Sequence, residues 1–176
     1  STIRILDYLI NQSCKFSELI NIYKNHDLKT PNNKKEENST IIWYRSSGNY
    51  WYNAWEKKPY ESSEMKSLNI IPNMDKFAII LINSQLFYIW MRIYGDGRHL
   101  NKDILKMFPI PKFSKILKFS SEISNLCNKL MAGLFNVFDK KYKRFNTSKC
   151  KKLINEIDEL LIRIYKIPDE LYDVII

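Results

Sequence analysis

Glycine is scarce in this chain of 176 residues: Gly48, Gly95, Gly97 and Gly133 are all there are. They are too scattered to cradle a phosphate, and neither GxGxxG nor GxxxxGK[ST] occurs. Histidine is scarcer, with only His26 and His99, so there is little material for acid–base chemistry, and HExxH is absent, as is GxSxG. Cys14, Cys127 and Cys150 are an odd number at unrelated spacings with no CxxC pair. That argues against a disulfide framework and a zinc site, and fits a reducing cytoplasm. The longest apolar runs, such as Phe77 to Ile82, fall well short of a membrane span, and no secretory signal is visible. The chain begins at Ser1 without Met, as an excised piece of a longer protein would. From these absences the expectation is a cytoplasmic chain with no membrane partner, and with no catalytic, cofactor-binding or metal-binding residue of its own.

What is present is positive charge and aromatic surface. Lys and Arg number 28 against 19 Asp and Glu, a formal +9 that favours polyanions, nucleic acid first. Surface drift to Lys and Asn would give the same balance without any partner. Aromatics make up 14% of the residues, which argues against disorder and for a packed core.

The hydrophobic spacing predicts an α+β chain. Residues 2–24 carry helical periodicity interrupted at Asn11-Gln12-Ser13, and residues 25–40 form a polar loop with little to bury. Ile41 to Tyr44 reads as a strand, Gly48-Asn49 as a turn and Tyr50 to Tyr52 as resumed extended chain. Ser67 to Pro72 is a further strand, whereas Asp75 to Ile82 fits a buried strand or the start of a helix. Asn83 to Tyr94 is helical with Gly95 as its C′ residue, and Lys102 to Met107 makes a short helical turn. Beyond it, residues 114–138 form a long amphipathic helix, and a second one runs from a Ser148 cap to Ile164. Residues 1–113 are thus expected to form a small mixed or antiparallel sheet with flanking helices, the recognition head, and residues 114–176 an antiparallel helical pair.

Two polar clusters carry candidate chemistry. The first is Arg45-Ser46-Ser47-Gly48-Asn49-Tyr50-Trp51-Tyr52 and on to Lys57-Lys58. Arg45 and Asn49 have the donors and acceptors to read base edges, Ser47, Lys57 and Lys58 suit phosphates, and Tyr50 and Tyr52 suit either base stacking or a sheet core. The second is Gly95 to Asp103, where Arg98, His99 and Lys102 present donors together, as a phosphate clamp or as a loop capped by Asp96 and Asn101. A third run, Lys140, Lys141, Lys143, Arg144, Lys149, Lys151 and Lys152, reads as a solvated turn or as a contributor to affinity alone. Glu64-Met65-Lys66 has the acid–x–lysine spacing of Mg²⁺-dependent nucleases but lacks a second acid in a clear strand context.

Asn83-Ser84-Gln85-Leu86-Phe87-Tyr88, then Tyr94-Gly95-Asp96-Gly97-Arg98-His99-Leu100-Asn101-Lys102-Asp103-Ile104, then Phe108-Pro109-Ile110-Pro111 resemble the C-terminal target-recognition region of adenine-specific DNA methyltransferases, including fused type IIG restriction–methylation enzymes. The ending through Glu156-Ile157-Asp158, Tyr165 and Pro168-Asp169-Glu170-Leu171 is similar to the same family, so the resemblance covers residues 41–176 and leaves 1–40 unmatched. It implies a module similar to the recognition domains of type I specificity subunits. Double-stranded DNA would be its partner, along with a methyltransferase domain of the same polypeptide. S-adenosylmethionine, and Mg²⁺ if the parent cleaves DNA, would belong to that other domain, because the Asn/Asp-Pro-Pro-Tyr/Phe signature is absent here. Two rivals stand beside this reading: a nuclease built on Glu64 and Lys66, and a helical protein-interaction adaptor.

Overall fold

A computed structural model describes residues 2–21, 40–48 and 51–176. The fold is α+β, with small antiparallel sheets and, towards the C-terminal end, packed helices interrupted by a two-stranded sheet. Its main sheet has three strands in the order β3-β2-β4, with β2 at Thr40–Arg45, β3 at Ala54–Trp55 and β4 at Met65–Ile70. Strand β2 is central. Trp43 lies opposite both Trp55 and Ser67, and Ile42 lies opposite Leu68. Side chains alternate across a strand, so Ile42 and Tyr44 enter the core while Ile41 and Trp43 stay on the other face.

The N-terminal segment belongs to this body. Helix α1 (Thr2–Ile10) sends Ile5 and Leu9 into the core, and a single 3-10 turn, Phe16–Leu19, adds Phe16 and Leu19. Strand β1 (Cys14–Lys15) pairs with β5 (Pro109–Ile110), and Ile20 bridges Ile70 at the sheet edge. Asn21 donates its backbone N–H to Asn69 O at 2.9 Å. Most of the polar loop expected over 25–40 lies outside the described residues.

Residues 75–82 resolve as a helix, α2 (Asp75–Ile82), not a strand. Every residue from Phe77 to Ile82 is buried, because α2 is sandwiched between β2, β3 and helix α6 (Ser120–Asn136). A segment buried on all sides has no polar face, and so no period to read. Asn83 and Ser84 then turn the chain by 66° into α3 (Gln85–Tyr94). Buried Asn83 donates its amide to Ala54 O and Ile79 O, and the Ser84 hydroxyl accepts from Phe87 N at 3.1 Å as the α3 N-cap. Gly95 ends α3 in extended backbone, φ −102°, not in the left-handed C′ conformation that the spacing suggests. Helix α4 (Lys102–Lys106) follows, capped by Asn101.

The C-terminal third is more broken than its periodicity. The expected long helix divides into α5 (Phe113–Leu117) and α6 (Ser120–Asn136). The turn after it is a β-hairpin, β6 (Phe138–Asp139) with β7 (Arg144–Phe145). Ser148 does not cap the next helix. Its hydroxyl donates to Asn146 Oδ1 within a 3-10 turn, and α7 (Lys151–Tyr165) starts after Cys150. Helices α6 and α7 pack together, and α6 also packs on α2, so the buried core is continuous across residue 113. A short helix, α8 (Tyr172–Ile175), closes the chain against α3. Among the described residues no single helix is long and apolar enough to cross a membrane.

One buried acid joins the two parts. Asp158 on α7 is fully buried, and its carboxylate accepts from Gln85 N at 3.0 Å and Leu86 N at 3.1 Å. These are first-turn N–H groups of α3 with no partner inside their helix. Burial pushes the Asp158 carboxyl up from 3.8 to about 7, against the opposing pull of those two N–H groups. The folded value lies above the unfolded one. The folded chain therefore keeps a proton that the unfolded chain has lost across that window, and stability from this group falls as pH rises through it. The slope is at most about 1.4 kcal/mol per pH unit. Urea unfolding at several pH values between about 5 and 7 is expected to show this decline in the wild type and a flatter profile in Asp158→Asn, which also loses about 1–3 kcal/mol at the acid end.

Candidate nucleic-acid interface

The two polar clusters, about fifty residues apart in sequence, are joined by backbone hydrogen bonds. Ser47 forms an antiparallel bridge with His99. Leu100 N donates to Ser46 O at 2.8 Å, and Gly48 N donates to Arg98 O at 2.7 Å. The end of β2 and the Gly95–Asn101 turn thus make one short ladder, which extends the sheet past Arg45. Ser46 N also donates to Glu64 O at 2.8 Å, tying in the start of β4.

Two acids hold this ladder in shape. Asp96 accepts the backbone N–H groups of Arg98 and His99, both at 2.8 Å, and its other oxygen meets His99 Nδ1 at 2.7 Å. The imidazole and these two N–H groups hold the Asp96 carboxyl well below the usual carboxylate range. Gly97 completes the turn with φ +74°, in the left-handed region open to glycine. Glu64 receives Arg45, with Nε and Nη2 both 3.2 Å from Oε2. The Ser47 hydroxyl, then Arg45, hold the Glu64 carboxyl below its ordinary value. Glu64 thereby positions Arg45 and Ser47. Among the described residues no three His, Cys, Asp or Glu side chains are grouped to hold a metal ion.

The ten candidate residues separate by environment. Arg98 and Lys57 are exposed and Lys102 is half-buried, and none of the three forms an ion pair among the described residues. Arg45 and His99 are partly exposed but held by Glu64 and Asp96. Lys58 lies 5.1 Å from the Trp43 ring centre and 2.5 Å from Glu61, so it covers the outer sheet face more than it projects from it. Ser47 sits in the ladder. Asn49 and Tyr50 lie outside the described residues. Tyr52 is only 2% exposed, and its ring packs edge-on against Phe87 with centres 5.7 Å apart. Of the two roles open to Tyr52, the structure gives it the core.

Trp51 takes the surface role that Tyr52 does not. It is half-buried and stacks on Tyr88 with ring centres 5.2 Å apart. Three consecutive aromatics in the sequence, Tyr50-Trp51-Tyr52, give no signal to tell the buried ring from the half-buried one. Beside it, Trp55 packs against Phe145 of β7 at 5.1 Å and Tyr60 stacks on Phe138 of β6 at 5.8 Å. The basic hairpin turn of residues 140–144 is thus anchored to the head through aromatic contacts.

A scan of protein-family models, a search of curated proteins and a search of solved structures return no match to this chain.

Gly48 is closely approached: a Cβ at this position would stand 2.4 Å from the Trp51 carbonyl oxygen, a backbone atom that cannot swing aside. Gly48→Ala is therefore expected to shift the ladder and to cost about 2 kcal/mol, a fall of about 4–8 °C in Tm for a chain of this size. Thermal unfolding followed by circular dichroism checks it.

Proposed function

We propose that this chain is the DNA-recognition module of a restriction–modification methyltransferase and works in the cytoplasm. Catalysis, S-adenosylmethionine and any Mg²⁺ belong to another domain of the same polypeptide, and no residue here is assigned to them. The observation that supports this reading is the ladder joining residues 46–48 to 98–100. It brings two separate polar segments together, and the candidate cations Arg98, Lys57 and Lys102 form no ion pair among the described residues.

On this reading Arg98, Lys57 and Lys102 contact phosphates and set affinity. Arg45, aimed by Glu64, contacts a base edge, together with Asn49 and Tyr50. Phosphate contacts fix orientation without sequence information, and base-edge contacts confer choice. The methyltransferase resemblance of residues 83–111 and 156–175 fixes the class of parent protein in this proposal.

Fluorescence anisotropy on a random-sequence duplex, titrated across salt, tests the charge assignment. Arg98→Ala and Lys102→Ala are each expected to weaken binding about equally on every sequence and to reduce the slope of log K against log salt by about 1. Arg45→Ala on a selected site is expected to lose about 1–3 kcal/mol of discrimination at one base pair. Wild-type protein that shows no salt-dependent duplex binding would overturn the reading.

A further inference from the structure

A cleft of about 580 Å³ lies between the head and the C-terminal third, on the border of the two basic regions. Trp51 forms its wall on the head side. Arg144, Thr147, Ser148 and Lys151 face it from the hairpin and the start of α7, with Phe145 and Ile154 among the apolar lining. A cleft of this size fits a small organic ligand and far exceeds what a bare anion fills.

Its chemistry is divided. Arg144 and Lys151 form no ion pair among the described residues. Arg144 lies 5.1 Å from the Tyr142 ring centre, and Lys151 donates to Gln85 Oε1 at 2.8 Å, so both are positioned without being neutralised. Asp139 is the carboxylate on the lining, and its Oδ1 is occupied by the backbone N–H groups of Lys141 and Tyr142 at 2.9 and 3.1 Å. Opposite the cations stands the Trp51 indole, braced on one side by Tyr88. Its N–H is shielded from solvent and has no hydrogen-bond partner among the described residues, so the ring face is what the indole offers the cleft.

We infer that this cleft binds a single nucleotide, its base against Trp51 and its phosphate on Arg144 and Lys151. The choice of ligand rests on the DNA-binding reading above. A flat ring suits the indole face, and base–aromatic stacking tolerates any base. The Thr147 hydroxyl supplies a neutral donor beside the two cations, and the Ser148 hydroxyl, which donates to Asn146 Oδ1, still has lone pairs to accept. The same chemistry is offered by a free mononucleotide or by a nucleotide unstacked from a DNA strand, which costs least at a mismatch or in a single strand.

The test uses the full chain and calorimetric titration with deoxyadenosine monophosphate, with deoxyadenosine and inorganic phosphate as separate probes. Saturable one-site binding of the monophosphate is expected, about tenfold weaker for deoxyadenosine and for phosphate alone. Arg144→Gln is expected to weaken it about tenfold with Tm unchanged, and Trp51→Phe is expected to retain more affinity than Trp51→Ala. Competition by a single-stranded or mismatched oligonucleotide assigns the cleft to DNA-borne nucleotides, and its absence alongside monophosphate binding assigns it to the free form. Monophosphate binding that is absent, or indifferent to Arg144→Gln, overturns the inference. If duplex binding then still depends on Arg98 and Lys102, the DNA-binding reading stands without it, and if duplex binding is missing while the monophosphate binds, only that reading falls.

Discussion

The buried carboxylate of Asp158 is the constraint on which the arrangement depends. It sits at the N-terminus of α3, where two backbone N–H groups and the positive end of the helix favour a negative or hydrogen-bond-accepting group. Burial opposes the charge at the same point. The outcome is a contact that is weak as a source of stability and strong as a specification of register, because removing either partner strands buried polar groups. It seats α7 against α3 in one position. Around it, Gln85 donates to Asn155 at 3.2 Å and receives Lys151, and further along α7 the Tyr165 hydroxyl donates to Pro109 O at 2.8 Å. The start of α3, the start of α7 and the β5 strand are therefore positioned together.

That register has a consequence at the surface. The Gly95–Asn101 turn leaves the end of α3, and the ladder partner strand β2 lies in the sheet packed on α2. Both halves of the ladder are thus attached to one core. Two acids, Asp96 and Glu64, are spent on local geometry. Asp96 holds backbone donors and the His99 ring, and Glu64 holds Arg45, so each positions the groups it bonds. Of the candidate cations, Arg98, Lys57 and Lys102 form no ion pair among the described residues. A formal net charge of +9 says only that cations outnumber acids, whereas the ladder fixes the backbone of Arg98 beside the chain that follows β2.

Much of the fold was legible in the sequence, and where it was not the reason is physical. The strand at residues 41–44, the helix of residues 85–94 with its polar following turn, and the amphipathic seam of α7 all carried a clear period, because each has one wet face. Helix α2 had none, since it is dry all round. The split between α5 and α6 was hidden because Phe119, which stands at the break, is as apolar as the helix positions it interrupts. The hairpin of residues 138–145 escaped because its basic turn resembles any solvated loop, and the aromatics that anchor it, Trp55, Tyr60, Phe138 and Phe145, are far apart in sequence. The candidate surface was legible as two clusters but not as one, because the Ser47–His99 pairing is made by backbone groups that every residue possesses.

The aromatic stretch of residues 51–55 shows where local rules conflict. Trp51 Nε1, Tyr52 Oη and Trp55 Nε1 are all shielded without partners among the described residues, three such donors within five residues. Each carries a desolvation cost of order 1–3 kcal/mol, and a segment chosen for stability alone would have Phe or Leu at these positions. Packing explains how the cost is tolerated: Tyr52 wedges against Phe87, Trp55 against Phe145 and Trp51 against Tyr88, so the rings are fixed by neighbours from α3 and β7. It does not explain why ring types with donors are there. Natural sequences depart from local consistency mainly where a site is built. This departure spans Trp51 to Trp55, starting at the cleft wall and following the ladder residue Gly48 closely in sequence, and so lies on the stretch of chain next to both proposed sites.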